Sequence, residues 1–322
     1  MTILRKVLHG LALLAIASVA HSQPAPWPNR PIRIIVAYPA GQGTDIATRY
    51  LADELAKSLG QPIIVENHAG AGGNVGTEAA ARATPDGYTL TMGTNATHVL
   101  NAYLYSTMHY EAEKDFEPVS LIGTFPMVLA VKNSSKFQSV ADVIASARID
   151  PRSTDIAVPS TTARLVAELM NASSNVGLYI VPYKGSNPAL TDVLGDRVPL
   201  VVDTPTALRG QISSGAVRPI AVTSLKQSGL LPNVKPVAEQ GLPGFEVLAW
   251  NALYAPRGTP PAVIKVLSTS IMKIVARPDV RARLLELGFD PAGGTPVELA
   301  EFARLERVKW APIIKAAGLK AD

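Results

Sequence analysis

Hydrophobic positions along the chain fall into two alternating rhythms. Ile32-Arg33-Ile34-Ile35-Val36-Ala37 and Ile63-Ile64-Val65 are short apolar runs with the length and β-branched content of strands. Between them, Ile46, Leu51, Leu55 and Leu59 share one helical face, which stops at Gly60. The Gly-rich turn Gly70-Ala71-Gly72-Gly73 follows, then an Ala-rich helix to about Ala83, the turn Pro85-Asp86-Gly87 and a strand over 88–92. This β-α-β-α-β order predicts a parallel sheet covered by helices.

A longer strand-like stretch covers 116–131, and then the alternation restarts. Strands are expected at 155–158, 178–181, 198–202 and 218–222, with helices at 160–171, 187–194 and 205–213 between them. A Pro/Gly-rich passage, 229–244, precedes the apolar run Phe245–Trp250, and three helices over 260–276, 278–287 and 296–316 close the chain. One α/β set nested within another predicts two lobes joined by crossing strands; the alternative is one long doubly wound domain. The crossings are placed at 119–131 and in a return between 223 and 254. The first lobe then takes 23–124 and 225–322, and the second takes 125–224. Ligands of such sheets bind beyond the carboxyl ends of the strands, so two lobes facing each other there form a cleft that can close.

Residues 1–22 do not fit this pattern. Arg5 and Lys6 precede a 14-residue apolar stretch, Val7–Ala20, and Ala20-His21-Ser22 supplies small residues near a cleavage point. This is the layout of a secretory signal peptide cleaved near Ser22. The stretch falls short of the ~20 residues that span a bilayer, and no cysteine follows to carry a lipid anchor. An exported protein is expected, periplasmic in a Gram-negative cell.

Composition narrows the chemistry. Of 322 residues 47% are hydrophobic, which supports a proper core and excludes a disordered chain. The absence of cysteine removes disulfides, thiolate metal sites and a cysteine nucleophile. Taking Arg5 and Lys6 from the 30 basic residues leaves 28 against 26 acidic ones, a formal charge of +2 rather than +4. The basic residues are not clustered with aromatics, so nucleic acid is not an expected partner. His68, His98 and His109 lack metal-site spacing, and there is no G-x-S-x-G elbow or phosphate loop. Gly70-Ala71-Gly72-Gly73-Asn74-Val75-Gly76 is one residue too long for a dinucleotide loop. No cofactor and no metal are expected.

What the chain does carry is a series of helix starts, each at the end of a strand. Gly41-Gln42-Gly43-Thr44-Asp45 is the first, with Tyr38 before it and Thr44 as the expected cap. Ala71, Gly72 and Gly73 form the second, and Thr94, Asn95 and Thr97 the third. In the other lobe Ser160, Thr161 and Thr162 open a helix, followed by Gly185-Ser186-Asn187-Pro188 and Asp203-Thr204-Pro205, with both prolines expected at first helical positions. Unpaired N–H groups of a first turn carry positive potential suited to a carboxylate. Any one of these can be merely a capped helix; six in series, from two lobes, favour a polar cleft that binds a small anion without transforming it. Arg164 either faces solvent or pairs with a ligand carboxylate. Asp203 is either a helix cap or the receiver of a ligand donor, and Tyr38 is either core edge or lid.

Tyr38-Pro39-Ala40-Gly41-Gln42-Gly43-Thr44-Asp45 with Arg49, Leu59-Gly60-Gln61-Pro62, Val65-Glu66-Asn67, Gly70–Asn74 and Pro85–Leu90 form one set of motifs. Val181-Pro182-Tyr183-Lys184-Gly185, Ala221-Val222-Thr223-Ser224 and Ala255-Pro256-Arg257-Gly258-Thr259-Pro260 form another. Together they resemble the Bug (Bordetella uptake gene) family, the periplasmic solute-binding proteins of tripartite tricarboxylate transporters, across essentially the whole mature chain. The resemblance implies a two-lobed type II periplasmic binding fold, α/β in each lobe. It also implies ligands such as di- and tricarboxylates, acidic amino acids or aromatic carboxylates. The loops matching Tyr38–Asp45 and Gly70–Gly73 then hold one carboxylate, with Tyr183 in the second-lobe set. Gln42 stands where the family has a small residue, and Arg164 stands in the place of a histidine. The implied partners are a small organic anion and the transporter's membrane subunits, with the receptor itself a monomer. A sensor that docks on a membrane kinase would use the same closure. A secreted α/β enzyme would need a nucleophile or metal constellation absent from this chain.

Overall fold

In the computed structural model, which describes residues 27–229 and 231–321, the first apolar run forms β1 (Ile32–Val36). Its side chains are almost wholly buried because helices cover both faces of the sheet. Helix α1 (Gly43–Leu59) follows and ends at Gly60 in the left-handed conformation. Next come β2 (Ile63–Asn67), a short turn of helix at 71–73, α2 (Asn74–Ala81) and β3 (Thr89–Thr94). A π-helical turn at 96–100 runs into α3 (Asn101–Leu104), and α4 (Ala112–Asp115) leads into β4 (Phe116–Pro126). The expected leader lies outside the described residues.

The long stretch read as one strand is two. β4 belongs to one sheet and β5 (Val128–Lys132) to another, with Met127 between them. The second set continues with α5 (Val140–Ile149), β6 (Ile156–Val158), α6 (Thr161–Ser174), β7 (Ile180–Pro182), α7 (Ser186–Leu194), β8 (Leu200–Asp203), α8 (Pro205–Ser213) and β9 (Val217–Val222). Strand β10 (Leu248–Pro256) then returns, followed by α9 (Pro261–Ala276), α10 (Pro278–Glu286), the two-residue β11 (Asp290–Pro291) and α11 (Pro296–Ala316).

The strand orders are β11-β4-β10-β3-β1-β2 and β7-β6-β8-β5-β9. The β2-β1-β3 and β7-β6-β8 parts are parallel, as the alternation predicts. The crossing strands are not: β10 pairs antiparallel with β3 and β4, and β5 pairs antiparallel with β8 and β9. A strand arriving from the other sheet needs no crossover helix, so nothing constrains it to run parallel. Both sheets are therefore mixed.

Thr223 ties the crossings together. Its N–H donates to the Met127 carbonyl at 3.0 Å, and its hydroxyl accepts from the Met127 N–H at 2.8 Å. That hydroxyl donates to the Val247 carbonyl at 2.5 Å, and the Val247 N–H donates back to the Thr223 carbonyl at 2.9 Å. Residues 235–240 stay with the five-stranded sheet, since Val222 N–H donates to Lys235 O and Gln240 Nε2 to Ile220 O. The chain passes back toward the six-stranded sheet between Val247 and β10, within the 223–254 span. Among the described residues, no helix is long and apolar enough to cross a membrane.

Candidate functional site

The carboxyl ends of the two sheets face each other, and the helix starts meet between them. Gln42 Nε2 donates to the Pro159 carbonyl at 3.2 Å, and the Thr162 hydroxyl donates to Asn95 Oδ1 at 3.2 Å. Farther round, the Thr206 hydroxyl donates to the Leu287 carbonyl. The two sheets are thus in contact across the cleft. Gly43 permits the approach: a Cβ there would lie 2.5 Å from Thr204 Oγ1, closer than real Cβ atoms come. Gly72 has the left-handed φ of +62°, and a Cβ on it would meet Thr161 Oγ1 at 2.5 Å.

Between them lies a cavity of about 30 Å³ lined by residues of both sheets, room for about two waters. Tyr38, Gln42, Gly43, Thr44, Thr94, Asn95, Ser160, Thr162 and Asp203 line it, as do Phe125, Met127, Thr204, Ala249 and Asn251. A second cavity of about 640 Å³ shares Tyr38, Gln42 and Ser160 with it and adds Ala71, Gly72, Gly73, Thr161, Arg164 and Tyr183. Most of the residues expected from the sequence therefore come together around two adjoining spaces.

Gly41, Asp45 and Thr97 line neither space and serve the frame instead. Asp45 Oδ2 accepts from the Gly41 N–H at 2.9 Å and from Arg49 Nε at 3.1 Å, and Oδ1 accepts from Asn67 Nδ2 at 2.8 Å. Burial pushes this carboxyl up, but those bonds outweigh it and hold Asp45 below its ordinary range. The Thr97 hydroxyl accepts from the Thr94 N–H at 3.1 Å.

Several local expectations are corrected. The cap position of α1 is Gln42, not Thr44, and its side chain makes no cap bond. Thr44 is the second helical residue, and its hydroxyl points to Asn251 Oδ1 at 3.5 Å. Pro205 opens α8 as expected, whereas Pro188 is the third residue of α7. Asp203 is not a cap: the Thr204 hydroxyl accepts from the Ala207 N–H, while Asp203 Oδ1 accepts from the Thr204 N–H at 2.7 Å. Tyr38 is buried, with its hydroxyl 2.8 Å from Thr94 Oγ1, so it is a wall rather than a lid. Burial pushes Tyr38 up to about 12, keeping it neutral.

Arg164 donates to the Ala321 carbonyl at 3.1 Å and pairs with Glu168 at 3.5 Å, so its guanidinium bridges to the chain's C-terminal residues while facing the larger cavity. His98 is a core residue: its ring stacks on Tyr254 with centroids 4.0 Å apart, and burial drives it down to about 3. Among the described residues no cluster of His, Asp and Glu could hold a metal ion.

Asn251 was missed by the sequence reading. It sits in β10 with its backbone in the ladder and its side chain at the cavity. The available signal was a polar residue interrupting Ala249-Trp250-Asn251-Ala252-Leu253, where a buried strand otherwise reads as continuously apolar.

Electrostatically the smaller cavity is sparse. Asp203 is the carboxylate on its wall, and desolvation pushes it up to about 6. The nearby Ser186 hydroxyl and the Thr204 amide offset part of that shift, although Ser186 Oγ and Asp203 Oδ2 do not meet in normal hydrogen-bond geometry. The remaining lining is amide, hydroxyl and apolar.

A family model described as "Tripartite tricarboxylate transporter family receptor" matches residues 47–319. The chain belongs to this family. Protein BugT of Bordetella pertussis is 34% identical over 297 residues, 91% of each chain. The structure of R. palustris Rpa4515 with adipate superposes with a TM-score of 0.88 at 34% identity, covering 91% of this chain and 99% of that one. MatC from Rhodopseudomonas palustris, with bound malate, gives 0.83 at 30% identity, covering 89% and 100%. The Bug proteins are thus homologues of this receptor. Its fold is that of the periplasmic binding proteins, and its family binds solutes rather than turning them over.

Proposed function

We propose that this receptor captures a small organic acid in the periplasm by closing its two sheets over it. It then delivers the acid to the membrane subunits of a tripartite tricarboxylate transporter. The moving bodies are residues 27–126 with 248–321, and 128–244, turning about Met127, Thr223 and Val247. The observation that carries the reading is the set of donors from one body, Gln42, Asn95 and Asn251, at a cavity sealed by the other. The adipate and malate bound by the two similar structures support an acid as the ligand. The first helix starts would hold one carboxylate, and the larger cavity, with Arg164 and Tyr183, would take the remainder of the molecule. A monomer suffices, because both walls of the site come from one chain.

A thermal-shift screen of carboxylates against their neutral amides tests this, since a ligand specific for the folded state raises its stability by mass action. Acids are expected to raise Tm and the matching amides not to. Equal shifts would remove the anion reading.

A further inference from the structure

Three polar atoms on the wall of the smaller cavity have no hydrogen-bond partner: Asn95 Nδ2, Asn251 Nδ2 and Asp203 Oδ2. They arrive on three different elements, the exit of β3, the middle of β10 and the end of β8. Each residue is at most 2% exposed. Unpaired polar atoms at such depth are costly, and folded proteins pair the large majority of them. Here they are gathered at one space.

Their chemistry is complementary in kind. The two amide nitrogens are donors and call for an acceptor. An ionised carboxylate is an acceptor only and calls for a donor. The other Asp203 oxygen is already taken by the Thr204 N–H at 2.7 Å. No lysine, arginine or histidine lines the cavity beside Asp203. The space, about 30 Å³, fits the head of a ligand and not its whole length.

We infer that Asp203 makes this receptor selective for α-hydroxy or α-amino acids. Its free oxygen takes the hydroxyl or ammonium of the ligand head, while the Asn95 and Asn251 amides hold the adjacent carboxylate. The inference rests on the carboxylate-binding reading of the cleft and names the subclass of acid. A plain carboxylate would seat its head but leave Asp203 Oδ2 without a ligand donor, with only the buried Ser186 hydroxyl nearby. Sites built to hydrogen-bond a ligand hydroxyl or N–H reject analogues that lack it far more strongly than apolar pockets reject a missing methylene.

Calorimetric titration of the full mature chain with matched acids decides the matter. Suitable sets are succinate with malate and aspartate, adipate with 2-aminoadipate, and phenylacetate with mandelate. In whichever set binds, the donor-bearing member is expected to bind at least about tenfold more tightly. Asp203→Ala should bring the members of that set to within about twofold. Equal affinities in the wild-type protein, or a preference that survives in Asp203→Ala, would overturn the role of Asp203 and leave the carboxylate reading standing. Failure of all these acids to bind at millimolar concentration would overturn both. The wild-type comparison needs no variant, so the test holds even if Asp203→Ala folds poorly.

Discussion

The two walls of the cleft begin their helices differently. On the six-stranded side the cap positions are Gln42, Gly70, Gly73 and Asn95, and none makes a side-chain cap bond. On the five-stranded side Ser160 accepts from the Ala163 N–H, and Thr204 accepts from the Ala207 N–H. Gly185, which has no side chain to offer, faces a separate small pocket with Pro39 and Lys184. At the Gln42, Gly70 and Gly73 starts the first-turn N–H groups thus have no side-chain cap, where positive potential suits an anion; at the third start the Thr94 hydroxyl accepts from the Thr97 N–H at 3.3 Å. The second wall spends two of its helix starts on itself and presents Asp203 instead.

The largest expected effect comes from preventing the walls from meeting. Gly43 has an ordinary helical backbone, so a side chain there strains nothing in an open form, yet it collides with Thr204 on closure. Gly43→Val should weaken acid binding on the order of a thousandfold, about 4 kcal/mol, in calorimetric titration. The Tm of the ligand-free protein should stay within a few degrees. Retained affinity would mean that binding does not need this closure.

A smaller effect is expected from Asp203 itself. Its carboxyl titrates near 6 in the folded protein, above the ordinary 3.8 of an unfolded chain. The unfolded state therefore gives up this proton first, and stability falls as pH rises from about 4 to about 6. Asp203→Asn should raise ligand-free stability at pH 8 by up to about 3 kcal/mol, and the gain should vanish near pH 4. Tyr38, the other titratable side chain on the cavity wall, stays neutral throughout this window. Chemical denaturation at both pH values gives the difference, and a gain independent of pH would exclude the buried charge as its source.

The smallest effects separate holding from framing. Ser160→Ala and Thr204→Ala each remove a cap and should cost about 1 kcal/mol of stability, or about 2–4 °C in Tm. Acid affinity should change by no more than about twofold, because these hydroxyls serve their own helices. A loss of affinity larger than the loss of stability would move them into the binding surface.

Much of the fold was legible in the chain. Strands β1, β2 and β3 and the helices around them announced themselves by period, because parallel βαβ units bury continuous apolar runs between amphipathic helices. The long helix α11 was legible for a similar reason: its Thr295 and Glu298 form a capping box, and Pro296 opens it. The split at Met127 was not legible, since β4 and β5 are equally apolar and nothing local marks a change of sheet. Helix α5 was legible but went unread: Ser139 caps it, and Val140, Val143, Ile144 and Ala147 fall at the i, i+3, i+4, i+7 spacing of a buried helical face.

The site divides in the same way. Gln42, Gly43, the Gly70–Gly73 turn, Asn95, Ser160 and Asp203 could be picked from the sequence because turn and cap residues at strand ends have local conformational reasons to be there. Their roles could not. Asp45 and Thr97 look like their neighbours in sequence but turn inward to brace the loops. Trp250 and Asn251 are adjacent and both fully buried, yet Trp250 Nε1 donates to Glu306 while Asn251 Nδ2 is left for the cavity. By itself the sequence determined most of the elements, their order and the family, since propensity, period and capping act over a few residues. Only the tertiary structure decided which polar atoms are left unpaired, because pairing depends on what arrives from the opposite sheet, and residues 95, 203 and 251 meet only when the chain has crossed twice.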